Sequence, residues 1–170
     1  KPQGLGFLLE TISLTKRSDV YFVIVGSGTE LIRIKLWVKK NKPINATLIP
    51  LLPKIDYDKL LAACDVGLIF LNKNFTIPNY PSRLLSYLEM KMPVITATDK
   101  NSDIGIDIEK NKCGFAVLSG NIIEMHNAIN RMMNEVNMFN EMKENSWKFL
   151  NTYFHVDRAS KLIMNSINEK

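Results

Sequence analysis

Hydrophobic and polar positions along this chain fall into blocks whose period switches repeatedly between helical and extended, the order expected of an α/β protein. Residues 5–16 place Leu5, Leu8, Leu9, Ile12 and Leu14 near helical spacing and end in the polar stretch Lys16-Arg17-Ser18-Asp19. The apolar run 20–25 closes on Gly26-Ser27-Gly28, which predicts a strand buried on both faces that feeds a tight turn into a helix. That helix covers 29–40, carries Leu31, Ile34, Leu36 and Val38 among basic residues, and stops ahead of Pro43. A strand fits 46–49, a short helix 57–64 with Leu60 and Leu61 inward, and another strand 66–71. The pattern then predicts a helix over 82–91, a brief strand over 94–96, a helix over 102–111, a strand over 114–118 and a helix over 121–134 capped by Asn121. Helices over 137–150 and 156–168, each apolar on one face, close the chain. This alternation argues for an open parallel sheet with helices on both faces, followed by C-terminal helices.

At 170 residues and 46% hydrophobic content, residues 1–170 form a single domain able to bury a core. No apolar run approaches the roughly 18 residues that span a bilayer. The opening KPQGLGFLLE has neither an initiator Met nor a leader, so it reads as a segment of something longer, with the cytoplasm as the expected compartment. Cys64 and Cys113 lie far apart without a zinc-site spacing, and both are expected to be small buried residues. With a net charge of +5, the Lys and Arg residues spread along the chain without interleaved aromatics, which favours a solvated surface over a nucleic-acid partner and leaves room for a small anionic ligand or an anionic membrane surface. His126 and His155 have no nucleophile or paired acid beside them, and the acids Asp99, Asp103, Asp107 and Glu109 lack the spacing of a cation loop. No metal site is expected. The methionines of 125–142 are read as core filler.

Two places carry candidate chemistry. The turn at Gly26-Ser27-Gly28 follows a strand and opens a helix, the place where backbone N–H groups meet phosphates, but it is neither a full dinucleotide fingerprint nor a P-loop. Gly26 is therefore either a turn glycine or a ligand contact. The loop 72–81 follows the carboxyl end of a strand, where doubly wound folds place ligands. It leads through Asn79, Tyr80 and Pro81 into Ser82 and Arg83, a hydroxyl and a forked cation at a helix start, suited to a diphosphate. The competing reading makes Ser82 a helix cap and Arg83 a surface charge.

The segment LLSYLEMKMPVITAT resembles the LLEAMACGKPVVAT-type segment of family 4 retaining glycosyltransferases of the GT-B fold. In the same order, KPQGLGFLLE resembles that family's first helix after the hinge, VYFVIVGSGTE its VGDGPE turn, YDKLLAACDVGLIFL its helix–strand unit, and CGFAVLSGNIIEMHNAI its NGLLV segment with the helix after it. PSRLLSYLEMKMPVI is similar to the PSKLLEYLA-type variant of bacterial capsule and O-antigen sugar transferases. The resemblance implies a Rossmann-like domain that binds a nucleotide diphosphosugar, usually UDP-linked, while a separate N-terminal domain, absent from this chain, binds a glycan or lipid-linked acceptor. It implies sugar transfer with retention, without metal or cofactor; the positive charge leaves room for peripheral placement at the inner face of the membrane. Carried onto this sequence, Arg83 and Ser82 take the diphosphate, Lys54 faces the phosphates, the backbone of 50–53 lies by the base, and Ser86 with Asn79 and Tyr80 faces ribose and sugar.

One departure stands out. The family's paired glutamates, separated by seven residues, fall here on Pro78 and Ser86. Ser86 offers one weaker bond where a carboxylate accepts two, worth about 1.5–3 kcal/mol each. Glu89, three positions on, is either a substitute reaching across the helix face or a solvated carboxylate. The sequence thus predicts the donor-binding half of a glycosyltransferase, inactive by itself. Two alternatives stand beside it: a non-catalytic scaffold that kept the fold, and half of a nucleotide-sugar epimerase, for which no carboxylate pair is found.

Overall fold

The computed structural model describes residues 3–74, 80–100, 102–155 and, singly, 158, 160, 164, 165 and 167. The predicted helix over 156–168 therefore lies for the most part outside the described residues, as do Pro78 and Asn79. Within them the order is α1 (Leu5–Leu14), β1 (Phe22–Val25), α2 (Leu31–Asn41), β2 (Ala46–Ile49), α3 (Lys54–Ala62), β3 (Gly67–Phe70), α4 (Arg83–Glu89), β4 (Val94–Thr98), α5 (Asp103–Lys110), β5 (Gly114–Leu118), α6 (Ile122–Asn134) and α7 (Val136–Tyr153).

Every ladder between these strands is parallel, as the alternating pattern requires, with Phe22 opposite Ala46, Gly67 opposite Val94, and Val94 opposite Gly114. Alternate residues along the strands feed two apolar clusters. Phe70, Ile95, Ala97 and Val117 meet Phe7, Leu8 and Ile12 of α1 and Met125, Ala128 and Ile129 of α6. Ile69, Leu71 and Val94 meet Leu84 and Leu88 of α4, Ile104 and Ile108 of α5, and Phe149 of α7. The sheet is thus covered by helices on both faces, and β4, at its centre, is buried at all five positions.

Two expectations change. The strands form two ladders, β1–β2 and β3–β4–β5, with no hydrogen-bonded pairing between β1 and β3 among the described residues. Among the described residues, the start of the chain meets the free side of β3 through the antiparallel bridge of Gln3 with Leu71 and the bond from the Gly4 amide to the Phe70 carbonyl at 3.3 Å. As a result β1 is not buried on both faces. Phe22 and Ile24 enter the core, while Val23 is 37% exposed. Cys113 is buried as expected, but Cys64 is only partly so. Its thiol donates back to the Leu60 carbonyl at 3.3 Å.

Helix ends follow local chemistry. The Asn121 side chain accepts from the Glu124 amide at 3.2 Å, the predicted cap. Helix α3 begins three residues before the predicted 57, because extended Pro53 (φ −55°, ψ 151°) is itself a natural N-terminal boundary. Lys42, Lys91 and Lys112 adopt left-handed backbone at φ 43°, 54° and 50°, just past the ends of α2, α4 and α5. Their amides bond back to Val38, Leu88 and Glu109, the work that glycine usually does.

Candidate functional site

The Gly26-Ser27-Gly28 turn is built on backbone angles that side chains resist, φ 156° at Gly26 and 118° at Gly28. The Gly26 amide donates to the Ile49 carbonyl, which sets this turn beside the carboxyl end of β2 and the segment 50–53. Glu30 takes the N-cap position of α2, and its carboxylate meets Arg33 at 3.1 Å. Lys54 is the first residue of α3, its ammonium exposed and paired with Asp58 at 2.8 Å. Hydrogen bonding and charge from Asp58 raise the Lys54 pKa, and the carboxylate of Glu89 adds to it, so α4 lies within Coulomb range of the start of α3.

Helix α4 turns Leu84 and Leu88 into the core, each fully buried. Its 3.6-residue period leaves Arg83, Ser86 and Glu89 on the other side, spaced i, i+3, i+6 along one stripe. The structure therefore brings together three predicted residues on one stripe of α4, while Lys54 is paired with Asp58. Ser82 occupies the N-cap position, but its side chain caps no amide of the helix. With seven residues the helix is under two turns long, so the charge of Arg83 outweighs its dipole. The Nε of Arg83 is buried and finds no hydrogen-bond partner. A buried charged donor without an acceptor costs about 1–3 kcal/mol or more, which an anion at this position would relieve.

Tyr80, just ahead of the helix, is committed elsewhere. Its hydroxyl donates to Asp107 of α5 at 3.2 Å, and its ring lies 5.8 Å from that of Phe154. Burial, then the charge of Asp107, pushes its ionisation well above the ordinary phenol range. Tyr87 escaped sequence reasoning. Its ring packs closely against Gly67, where an added Cβ would sit 2.4 Å from Cδ2, and its hydroxyl donates to the Leu68 carbonyl at 3.3 Å. The signal was a lone glycine opening a strand. Asn79 lies outside the described residues, and among those described no His, Cys, Asp and Glu cluster could hold a metal ion.

Compared with known families, residues 1–149 match the model of glycosyl transferases group 1. The chain belongs to that family. It is 24% identical over 113 residues to the probable glycosyltransferase WbjE of Pseudomonas aeruginosa, covering 66% of this chain and 28% of the relative. Among solved structures it superposes on HepE of Anabaena in complex with UDP with a TM-score of 0.81 and 17% identity, over 99% of this chain and 46% of HepE. The C-terminal domain of the group 1 protein LpcC from Francisella tularensis aligns with a TM-score of 0.74 and 16% identity, over 91% of this chain and 81% of that domain. The fold is thus the Rossmann-like half of a GT-B glycosyltransferase, and the chain spans less than half the length of WbjE and HepE.

Proposed function

We propose that this domain holds the nucleotide-diphosphosugar donor of a glycosyltransferase, and that the whole protein passes the sugar to a glycan or lipid-linked acceptor held by a second domain. The observation that carries the reading is the buried, unpartnered Nε of Arg83 at the head of the α4 stripe. The UDP and UDP-glucose bound to HepE support a UDP-linked donor. Transfer breaks the bond between the anomeric carbon and the diphosphate oxygen, and negative charge grows on the departing diphosphate. A guanidinium whose Nε is already buried and held at the head of the helix would stabilise that charge with little reorganisation. Lys54 would leave Asp58 to meet the phosphates, Ser82 would add a hydroxyl, and Ser86 and Asn79 would face ribose and sugar. The reaction is proposed to need neither metal nor cofactor. Without the acceptor domain this half binds and does not turn over.

Among the described residues no helix is long and apolar enough to cross a membrane. A lipid-linked acceptor, as in capsule or O-antigen assembly, would instead require a cytoplasmic protein that sits peripherally on the membrane. A second reading, a fold retained without catalysis, draws on Pro78 and Ser86 standing where the resembling family carries glutamates.

Calorimetric titration with UDP, UDP-sugars and GDP tests the proposal. One of them should bind, and Arg83→Ala should weaken it on the order of 10- to 150-fold, the loss of one charge-assisted bond. Binding of none of them would defeat the donor reading, and unchanged affinity in Arg83→Ala would remove that residue from the site.

A further inference from the structure

Helix α2 turns Ile34 into the core, with Trp37 and Val38 beside it. The opposite line of a water-facing helix is where polar residues belong. Here it carries Ile32 and Leu36, one turn apart and 71% and 63% exposed. Helical spacing sets Lys35 and Lys39 along one flank of that line and Arg33 and Lys40 along the other. The turn after the helix adds Lys42 and Ile44, the latter 97% exposed. No Asp or Glu occurs from 31 to 42. Of the chain's 22 Lys and Arg, five lie in this stretch, leaving 17 against 17 Asp and Glu, so the segment accounts for the whole net charge of +5. Beside it, against β2, lies a groove of about 360 Å³ lined by Lys35 and Lys39 together with Val38, Thr47 and Leu48.

Single exposed aliphatics are ordinary on any protein surface. A pair at the apex of a helix, flanked on both sides by long cationic side chains, is the arrangement of an interfacial helix. Lysine stems can lie along the apolar boundary while their ammonium groups stay among phosphates. We infer that this face of α2 docks on an anionic lipid bilayer, with Ile32 and Leu36 entering the headgroup boundary and the flanking cations meeting lipid phosphates. The inference rests on the peripheral-membrane part of the reading above and not on the donor site. Nucleotide titration in free solution reads the donor site alone, so the two failures are separable.

The test is co-sedimentation of the full-length protein with phosphatidylcholine vesicles, with and without phosphatidylglycerol. Binding should require phosphatidylglycerol and be lost near 1 M salt, where screening acts over about 3 Å. Lys39→Gln/Lys40→Gln should weaken it about 25-fold, some fivefold per charge. Ile32→Ser/Leu36→Ser, at exposed positions that spare the core, should weaken it at least about tenfold. Equal binding to pure phosphatidylcholine, no binding to either vesicle, or wild-type binding by both variants would overturn the inference. So would a variant that binds vesicles normally but changes oligomeric state, which would make this face a contact between copies.

Discussion

Replacing Gly67 with alanine tests how tightly the site helix is seated. The backbone at Gly67 lies outside the left-handed region, so alanine is conformationally admissible and the cost is steric. Its methyl would stand 2.4, 2.6 and 2.9 Å from Cδ2, Cγ and Cε2 of Tyr87, roughly 1 Å inside ordinary contact. The ring cannot retreat with its helix, because Leu84 and Leu88 anchor α4 at 0% exposure. It must rotate away and give up its bond to the Leu68 carbonyl. Overpacking of about 1–3 kcal/mol and a net hydrogen bond near 1 kcal/mol outweigh the roughly 0.5–1 kcal/mol gained by removing a strand glycine. The expected net loss is about 2 kcal/mol, or roughly 4–8 °C in Tm for a domain of this size. Urea unfolding of Gly67→Ala, Tyr87→Ala and the double variant measures it, and in the Tyr87→Ala background the added methyl should cost little. A Gly67→Ala protein within about 0.5 kcal/mol of wild type, or an equal cost in both backgrounds, would refute the steric argument.

Two further outcomes follow from buried groups. Burial pushes the Tyr87 phenol up to about 12. The folded state thus favours the neutral form; this contribution is whole below pH 10 and fades as pH rises towards 12, by about 2–3 kcal/mol. Cys113, also pushed by burial up to about 12, adds a loss of the same sign that starts lower, near pH 9. Urea midpoints between pH 8 and 12 should fall less steeply in Tyr87→Phe than in wild type, and equal slopes would count against the assignment. Ser146 is fully buried and its hydroxyl lies 3.0 Å from the Met92 carbonyl and 2.9 Å from that of Met142. Ser146→Ala should cost about 1–2 kcal/mol by equilibrium unfolding, and Ser146→Thr more, since no room is left for a methyl.

Elements whose signal is local were legible in the chain. Strands 46–49 and 114–118 stand where alternation and flanking turns put them, and Asn121 caps α6 through its own side chain. Three helix ends were less so, because Lys42, Lys91 and Lys112 take left-handed backbone at about 1–2 kcal/mol each instead of leaving the position to glycine. The division of the strands into two ladders depends on which edges meet in space, which no period along the chain encodes. At the site, helical spacing sufficed to put Arg83, Ser86 and Glu89 on one stripe. The buried Nε of Arg83, the Coulomb reach from Glu89 to Lys54 and the commitment of Tyr80 to Asp107 arise from tertiary packing, and no motif announced them.

The contacts that steady α4 also set the order in which the molecule can be completed. Lys91 is held by Glu144 across 53 residues and Met92 by Ser146 across 54, while Tyr80 waits for Phe154. A chain leaving the ribosome at about 5–20 residues per second can pair β3, β4 and β5 seconds before those partners emerge. The sheet is then in place early, and the helix bearing Arg83 is clamped only when α7 has been made. The part of this domain proposed to meet its ligand is the part secured last.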